Sequence, residues 1–199
     1  MNATATQVSP DKAVRTADPR CFSNVVAEKD WSGFLTTRCG VTFFATPATP
    51  SDVHALENFF EHVTPEDLYF RFLTGIRKVG KDRIEAMTCD DDPQTIDFLA
   101  IDENSGKVLA SAMLTADEKF ETAEFAMCTR TESKRLGISW TLLEHVTRYA
   151  KAMGVKRMQS IESWDDHRAL ELEREMGFTI RRDPDDSTLM IAEKVFEES

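Results

Sequence analysis

Apolar residues recur with two distinct periods along this chain. Thr95 to Ile101, Lys107 to Ala116 and Thr122 to Thr129 are short β-branched or alternating runs. They are separated by Asn104-Ser105-Gly106 and Asp117-Glu118-Lys119, which have turn composition. A pleated strand turns successive side chains to opposite faces, so these runs predict three strands of an antiparallel meander. A hairpin is predicted ahead of them, Phe34 to Arg38 with Val41 to Ala45, joined at Cys39-Gly40 and ended by Pro47 and Pro50. Helical periodicity takes over from Ser51, with Val53, Leu56, Phe59, Phe60 and Val63 on one face. Two more helices are predicted, from Pro65, which suits a first-turn position, to Phe72 or Leu73, and from Lys81 to Thr88.

The longest helical pattern places Ile138, Leu142, Val146, Tyr149, Ala150 and Met153 on one face, with Glu144, His145, Thr147, Arg148 and Lys151 elsewhere and Gly154 as the stop. A strand at Arg157 to Ile161, a helix at Asp165 to Met176, and strands at Phe178 to Arg182 and Thr188 to Lys194 complete the pattern. The predicted class is α/β (α+β): a mixed, mainly antiparallel central sheet flanked by helices, with a crossover late in the chain. Residues 1 to 32 have no sustained period and are read as an irregular extension, leaving 33 to 199 as one domain. The alternative for the extension is an arm packing on a second copy of the chain through Phe22, Val25, Val26 and Trp31.

Between the third meander strand and the long helix stands Lys134-Arg135-Leu136-Gly137-Ile138-Ser139. The first amides of a helix have no carbonyl partner within it, and the helix dipole favours negative charge there, so a strand, a glycine turn and a helix in this order predict an anion site. The segment resembles the coenzyme-binding signature Q/R-x-x-G-x-G/A of the GNAT superfamily of acetyl-CoA-dependent N-acetyltransferases. Lys134 stands where the family has Gln or Arg, and Ser139 where it has Gly or Ala. The preceding AEFAM segment and the following SWDDHRALELEREMGF are similar to the family's flanking segments in the same order. Thr64-Pro-Glu-Asp-Leu-Tyr-Phe-Arg-Phe72 resembles a segment of bacterial protein lysine acetyltransferases.

The resemblance covers about residues 33 to 194 and implies a fold, a cosubstrate and residue roles. The cosubstrate is acetyl-CoA. Its phosphates would lie at Lys134, Arg135, Leu136, Gly137, Ile138 and Ser139, and its pantetheine arm along Met127, Cys128 and Thr129, paired with the amides of Met127 and Thr129. Asp166 falls where relatives carry an Asn that touches the arm, and the spacing of Ser163-Trp164-Asp165-Asp166 equally suits a helix cap. Glu124 is the candidate general base that takes a proton from the acceptor amine, and alternation puts it on one face with Ala126 and Cys128. Tyr69, Arg71 and Phe72 lie in the region that borders the acceptor pocket in relatives. Relatives often return a proton to the CoA thiolate from a late tyrosine, yet the chain has only Tyr69 and Tyr149.

Composition narrows the partners. A net charge of −11 disfavours nucleic acid and anionic membranes, which need a basic footprint. Arg130, Lys134 and Arg135 are the cations beside the turn, while Asp90 to Asp92 and Asp183 to Asp186 favour a cationic acceptor or a solvated surface. Cys21, Cys39, Cys89 and Cys128, like the four histidines, have no metal-ligand spacing, so no metal is expected. With no apolar leader and no spanning run, a cytoplasmic setting is expected. Cys128 as an acyl-carrying nucleophile is a weaker reading, since nothing nearby in sequence would lower its pKa. The function expected is acetyl transfer from acetyl-CoA to a primary amine, either a protein lysine or a small amine. The alternative is a coenzyme-binding sensor or interaction module that has lost turnover.

Overall fold

The computed structural model describes residues 21–22, 24–89 and 92–197. Eight strands form one sheet: β1 (Gly33–Thr36), β2 (Thr42–Pro47), β3 (Thr95–Ile101), β4 (Val108–Ala116), β5 (Thr122–Thr129), β6 (Arg157–Ser163), β7 (Thr179–Arg182) and β8 (Leu189–Val195). Their order is β1-β2-β3-β4-β5-β6-β8-β7, and every neighbouring pair is antiparallel except β5 and β6. The six α-helices of the described residues are α1 (Asn24–Trp31), α2 (Val53–Glu61), α3 (Pro65–Phe72), α4 (Lys81–Met87), α5 (Ile138–Ala152) and α6 (His167–Glu175). This is the mixed, mainly antiparallel architecture expected from the periodicity.

Each face of the sheet has its own core. On one face Ile138, Leu142, Val146, Tyr149 and Ala150 of α5 pack on Phe98, Ala112, Leu114 and Phe125, with Leu172 and Met176 of the α6 region beside them. On the other, Leu56, Phe59 and Phe60 of α2, Leu68 of α3 and Ile84 and Met87 of α4 cover Leu99, Val108 and Cys128. Phe125 and Cys128 therefore lie on opposite faces, as alternation along β5 requires.

One departure concerns the segment before the hairpin. Residues 24–31 form a helix, and Phe22, Ala27 and Trp31 of the predicted extension pack into the core. Phe22 is 2% exposed and stacks edge-on against Phe120 with centroids 5.0 Å apart, while Trp31 meets Tyr149 at 5.3 Å and His145 at 5.7 Å. Phe22 and Trp31 are thus occupied within their own chain rather than offered to a second copy. Residues 1–20 and the side chains of Val25 and Val26 lie outside the described residues, as do Asp90 and Asp91 of one acidic run.

The feature that creates the site is a divergence of strands. β5 and β6 pair only at Thr122, Glu124 and the residue between them, against Arg157, Met158 and Gln159. Beyond Glu124, β5 continues along β4 to Thr129 while β6 continues along β8 to Ser163, so a wedge opens between them. Helices α3, α5 and α6 close around it.

Candidate functional site

The wedge is a cleft of about 540 Å³. Its backbone chemistry follows from the ladders on either side. Glu121 O accepts from Arg157 N, and Arg130 N donates to Leu109 O. The β4–β5 register runs without interruption from Ala123 to Thr129, so strand alternation between those two anchors turns the N–H and C=O of Phe125, Met127 and Thr129 toward the wedge. Past Glu124 no strand pairs with that side of β5 among the described residues. An extended ligand carrying amides can complete the ladder there. The amides of Met127 and Thr129 are those expected from the sequence. The Cys128 backbone faces β4 instead, which leaves it no main-chain donor for a ligand.

At the end of the wedge the chain turns into α5. Arg135 and Gly137 both take left-handed backbone conformations, with φ of 65° and 77°. Helix α5 then starts without a side-chain cap, and Thr141 N donates to Gly137 O as its first turn closes. The opening amides of α5 are therefore left for a ligand or solvent, and an anion is the natural partner for them. Lys134, Arg135, Gly137, Ser139 and Trp140 line the cleft. Leu136 is exposed and Ile138 is buried in the core, so neither side chain lines it; Ile138 can take part only through its backbone.

Three details of the turn were not legible from its sequence. Lys134 Nζ is engaged with Asp67 of α3, at 2.6 and 2.5 Å from the two carboxylate oxygens. Arg130 is 1% exposed and held by Asn58 and Glu132, so it braces α2 against the turn and does not face a ligand. Of the three cations expected beside the turn, only Arg135 is exposed; Arg168, from α6, joins it at the cleft. Ser139 Oγ lies 2.9 Å from Thr129 Oγ1, tying the end of β5 to the start of α5.

The far wall carries carboxyl groups. Asp166 caps α6 by accepting from Ala169 N at 3.0 Å and also lines the cleft, so both readings of this residue fall at one place. Burial pushes its carboxyl upward, opposed by that amide. Glu173, 1% exposed, accepts from Ser160 Oγ and keeps its Oε2 without a hydrogen-bond partner among the described residues. Burial raises Glu173 to about 7, and burial together with Glu173 raises the neighbouring Glu162 well above the carboxylate range. Burial thus favours the protonated form of both carboxyls. This pair was not expected from the sequence, although one signal was present: Glu173 follows buried Leu170 at helical spacing, a carboxylate on an apolar stripe.

A second pocket of about 480 Å³ opens beside the first, lined by Glu124, Thr122, Thr115, Asp117, Gln159 and Met113 among others. Phe125, Ala126, Ile161 and Arg71 line both cavities. Glu124 is exposed to this second pocket, and partial burial raises its carboxyl while Arg71 pulls it back. The Cys128 thiol is pushed up to about 12, by burial first, so it stays protonated and is no nucleophile. Tyr149 is a core residue and Tyr69 lies on the surface; neither lines either pocket. No cluster of metal-ligating side chains occurs among the described residues.

A divergent strand pair, an uncapped helix start beyond it and an adjoining pocket with a carboxylate on its wall are the features that the sheet and its helices bring together. The model of the acetyltransferase (GNAT) family matches residues 58–178, and this chain belongs to that family. It is 25% identical over 147 residues to acetyltransferase PA5475 of Pseudomonas aeruginosa, covering 73% of this chain and 79% of that one. Among solved structures it is similar to the GNAT domain of PAT from S. lividans, with a TM-score of 0.78 at 20% identity over 84% of this chain and 98% of that one. It is also similar to a GNAT-family acetyltransferase from Streptococcus pneumoniae, with a TM-score of 0.64 at 20% identity over 78% and 99%. The protein is an acyltransferase by family.

Proposed function

We propose that the protein transfers an acetyl group from acetyl-CoA directly to a primary amine, with Glu124 as general base. The observation that carries this reading is the meeting of the two cavities at Phe125, Ala126, Ile161 and Arg71. One cavity offers unpaired strand amides and a helix start, which suit a pantetheine arm and its phosphates. The other offers a carboxylate to an incoming ammonium. The small Ala126 stands between them, leaving room for a nucleophile to reach a thioester carbonyl.

An amine entering as its ammonium gives up two protons in the course of the reaction. Glu124 takes the first, the nitrogen lone pair forms the N–C bond, and the C–S bond breaks with its electron pair staying on sulfur. The Glu162–Glu173 pair supplies a proton to that sulfur and is recharged by the second proton from nitrogen. The amide of Met127 or Thr129 is suited to polarise the thioester carbonyl. The acceptor is a protein lysine or a small amine, and the setting is cytoplasmic.

Glu124→Gln tests the reading. Release of free CoA should fall by roughly 10² to 10⁴, the usual effect of losing a general base, while CoA affinity measured by calorimetry stays within about twofold. The wild-type rate should rise with pH through a carboxyl value above the ordinary one for Glu, since the base works only when ionised. Turnover of the variant within about twofold of wild type would remove Glu124 from the mechanism. Tight CoA binding with no CoA release for any amine would favour the sensor alternative.

A further inference from the structure

Arg71 sits on the last turn of α3 and is 9% exposed, among the most buried charged side chains of the protein. Its Nε and Nη2 are both buried, and both lack a hydrogen-bond partner among the described residues. Those two N–H groups share one edge of the guanidinium plane and point in parallel, the fork that grips a carboxylate through two bonds. The charged groups nearest in effect do not use that edge. Asp97 is hydrogen-bonded to Ser111 through both of its oxygens, at 3.0 and 2.9 Å, and makes no ion pair with Arg71. Glu162 and Cys128 act on Arg71 only at a distance, and the Phe72 ring lies 5.0 Å from its Cζ.

A buried donor left without a partner keeps its desolvation cost uncompensated, the more so when it is charged, so an edge of two such donors needs an occupant in the working state. Arg71 lines both cavities, and in the second it shares the wall with Glu124. A ligand there meets the Glu124 carboxylate and the Arg71 side chain together. A polyamine would be repelled by the cation, and a lysine within a peptide brings neutral carbonyls to the fork in place of the carboxylate that matches it in charge and geometry.

We infer that the acceptor is a small amino-carboxylate, whose carboxylate is gripped by the Nε and Nη2 edge of Arg71 while its amine is presented to Glu124. This names the acceptor class for the acetyl transfer proposed above and rests on it, but binding can be tested without turnover. The volume of about 480 Å³ is of small-molecule size.

The experiment uses the full chain with α- and ω-amino acids, each compared with its own carboxamide. Calorimetric titration in the presence of CoA reads binding, and thiol release from acetyl-CoA reads transfer. At least one acid should bind tenfold or more tightly than its carboxamide and have a kcat/KM at least tenfold higher. Arg71→Met should bring both ratios toward one, Arg71→Lys should restore little because an ammonium offers no fork, and CoA affinity should hold in both. Should Arg71→Met not fold, the acid-to-amide ratio of the wild-type protein decides alone. Equal binding of acids and carboxamides overturns the inference, as does acceptance only of internal lysines in peptides. A loss of CoA affinity in Arg71→Met matching its loss of acceptor affinity also overturns it, assigning the fork to the coenzyme. Arg71-dependent binding of an acid without any CoA release would leave this site standing while refuting the acetyl transfer.

Discussion

Gly137→Ala separates two reasons why a glycine stands at the start of α5. A methyl group at this position would not lie in open space: its carbon would come 3.1 Å from Thr37 Cβ, with Thr37 Oγ1 at 3.6 Å and Thr37 Cγ2 at 3.7 Å. The residue also holds φ at 77°, where an L side chain is strained. The left-handed backbone costs about 1–2 kcal/mol for a residue with a Cβ. The contact is tight by only a few tenths of an ångström and adds about 1 kcal/mol, the low end for overpacking. Stiffening of the unfolded chain by alanine offsets about 0.4–1 kcal/mol of this. The balance is a loss of about 1–3 kcal/mol, which for a chain of this size lowers Tm by roughly 3–10 °C. Differential scanning calorimetry of the protein without coenzyme should show that fall. In a Thr37→Gly background, which itself loses the hydrogen bond from Val41 N to Thr37 Oγ1, Gly137→Ala should cost only the backbone part, because that strain does not depend on Thr37. A Gly137→Ala variant that melts within about 1 °C of wild type yet no longer binds CoA would refute this reasoning. The glycine would then serve ligand approach alone.

CoA should raise Tm by mass action, and the rise should shrink in high salt if phosphates meet the α5 start; no shift and no heat at millimolar CoA would refute the acetyltransferase reading. Asp166→Ala should lower Tm by about 2–4 °C through loss of a cap worth about 1 kcal/mol, whereas Asp166→Asn, which still accepts from Ala169 N, should melt with wild type. Asp97 is pushed by burial from 3.8 to about 7, so between those values the unfolded chain has released a proton that the fold retains. Stability from this residue therefore falls as pH rises across that window, by at most about 4 kcal/mol, and levels off above it. Subtracting the Tm-versus-pH curve of Asp97→Asn from that of wild type should isolate the slope, and parallel curves from pH 4 to 8 would refute it.

Local pattern carried most of the fold because its elements announce themselves locally. Thr64 and Pro65 start α3, Asp166 caps α6, and left-handed Gly154 and Gly177 follow the ends of α5 and α6. Helix α1 has no such signal, because Asn24–Trp31 is short and draws its burial from Ala27 and Trp31 rather than from an apolar stripe. The open start of α5 was legible since its unpaired amides are backbone groups fixed by the strand-to-helix order. What the sequence could not show were pairings across the fold. Lys134 meets Asp67 across 67 positions, Arg130 meets Asn58 across 72, and both remove cations that looked available at the turn. Glu173 became visible as a proton holder only when α6 laid it against Ser160 and Glu162. The unpaired edge of Arg71 is a property of what surrounds it, which no local pattern records.

Splitting β5 from β6 gives the sheet an extra pair of edges inside the molecule. An open edge on a protein surface invites another chain to add a strand, and proteins guard such edges with charge, bulges or short strands. Here the guard is steric. The β5 edge beyond Glu124 lines a cleft walled by residues of α3, α5 and α6, which stand where a neighbouring strand would have to approach. The same hydrogen-bonding row that would make a surface strand prone to aggregation becomes a one-dimensional receptor, selective by thickness before any side chain takes part.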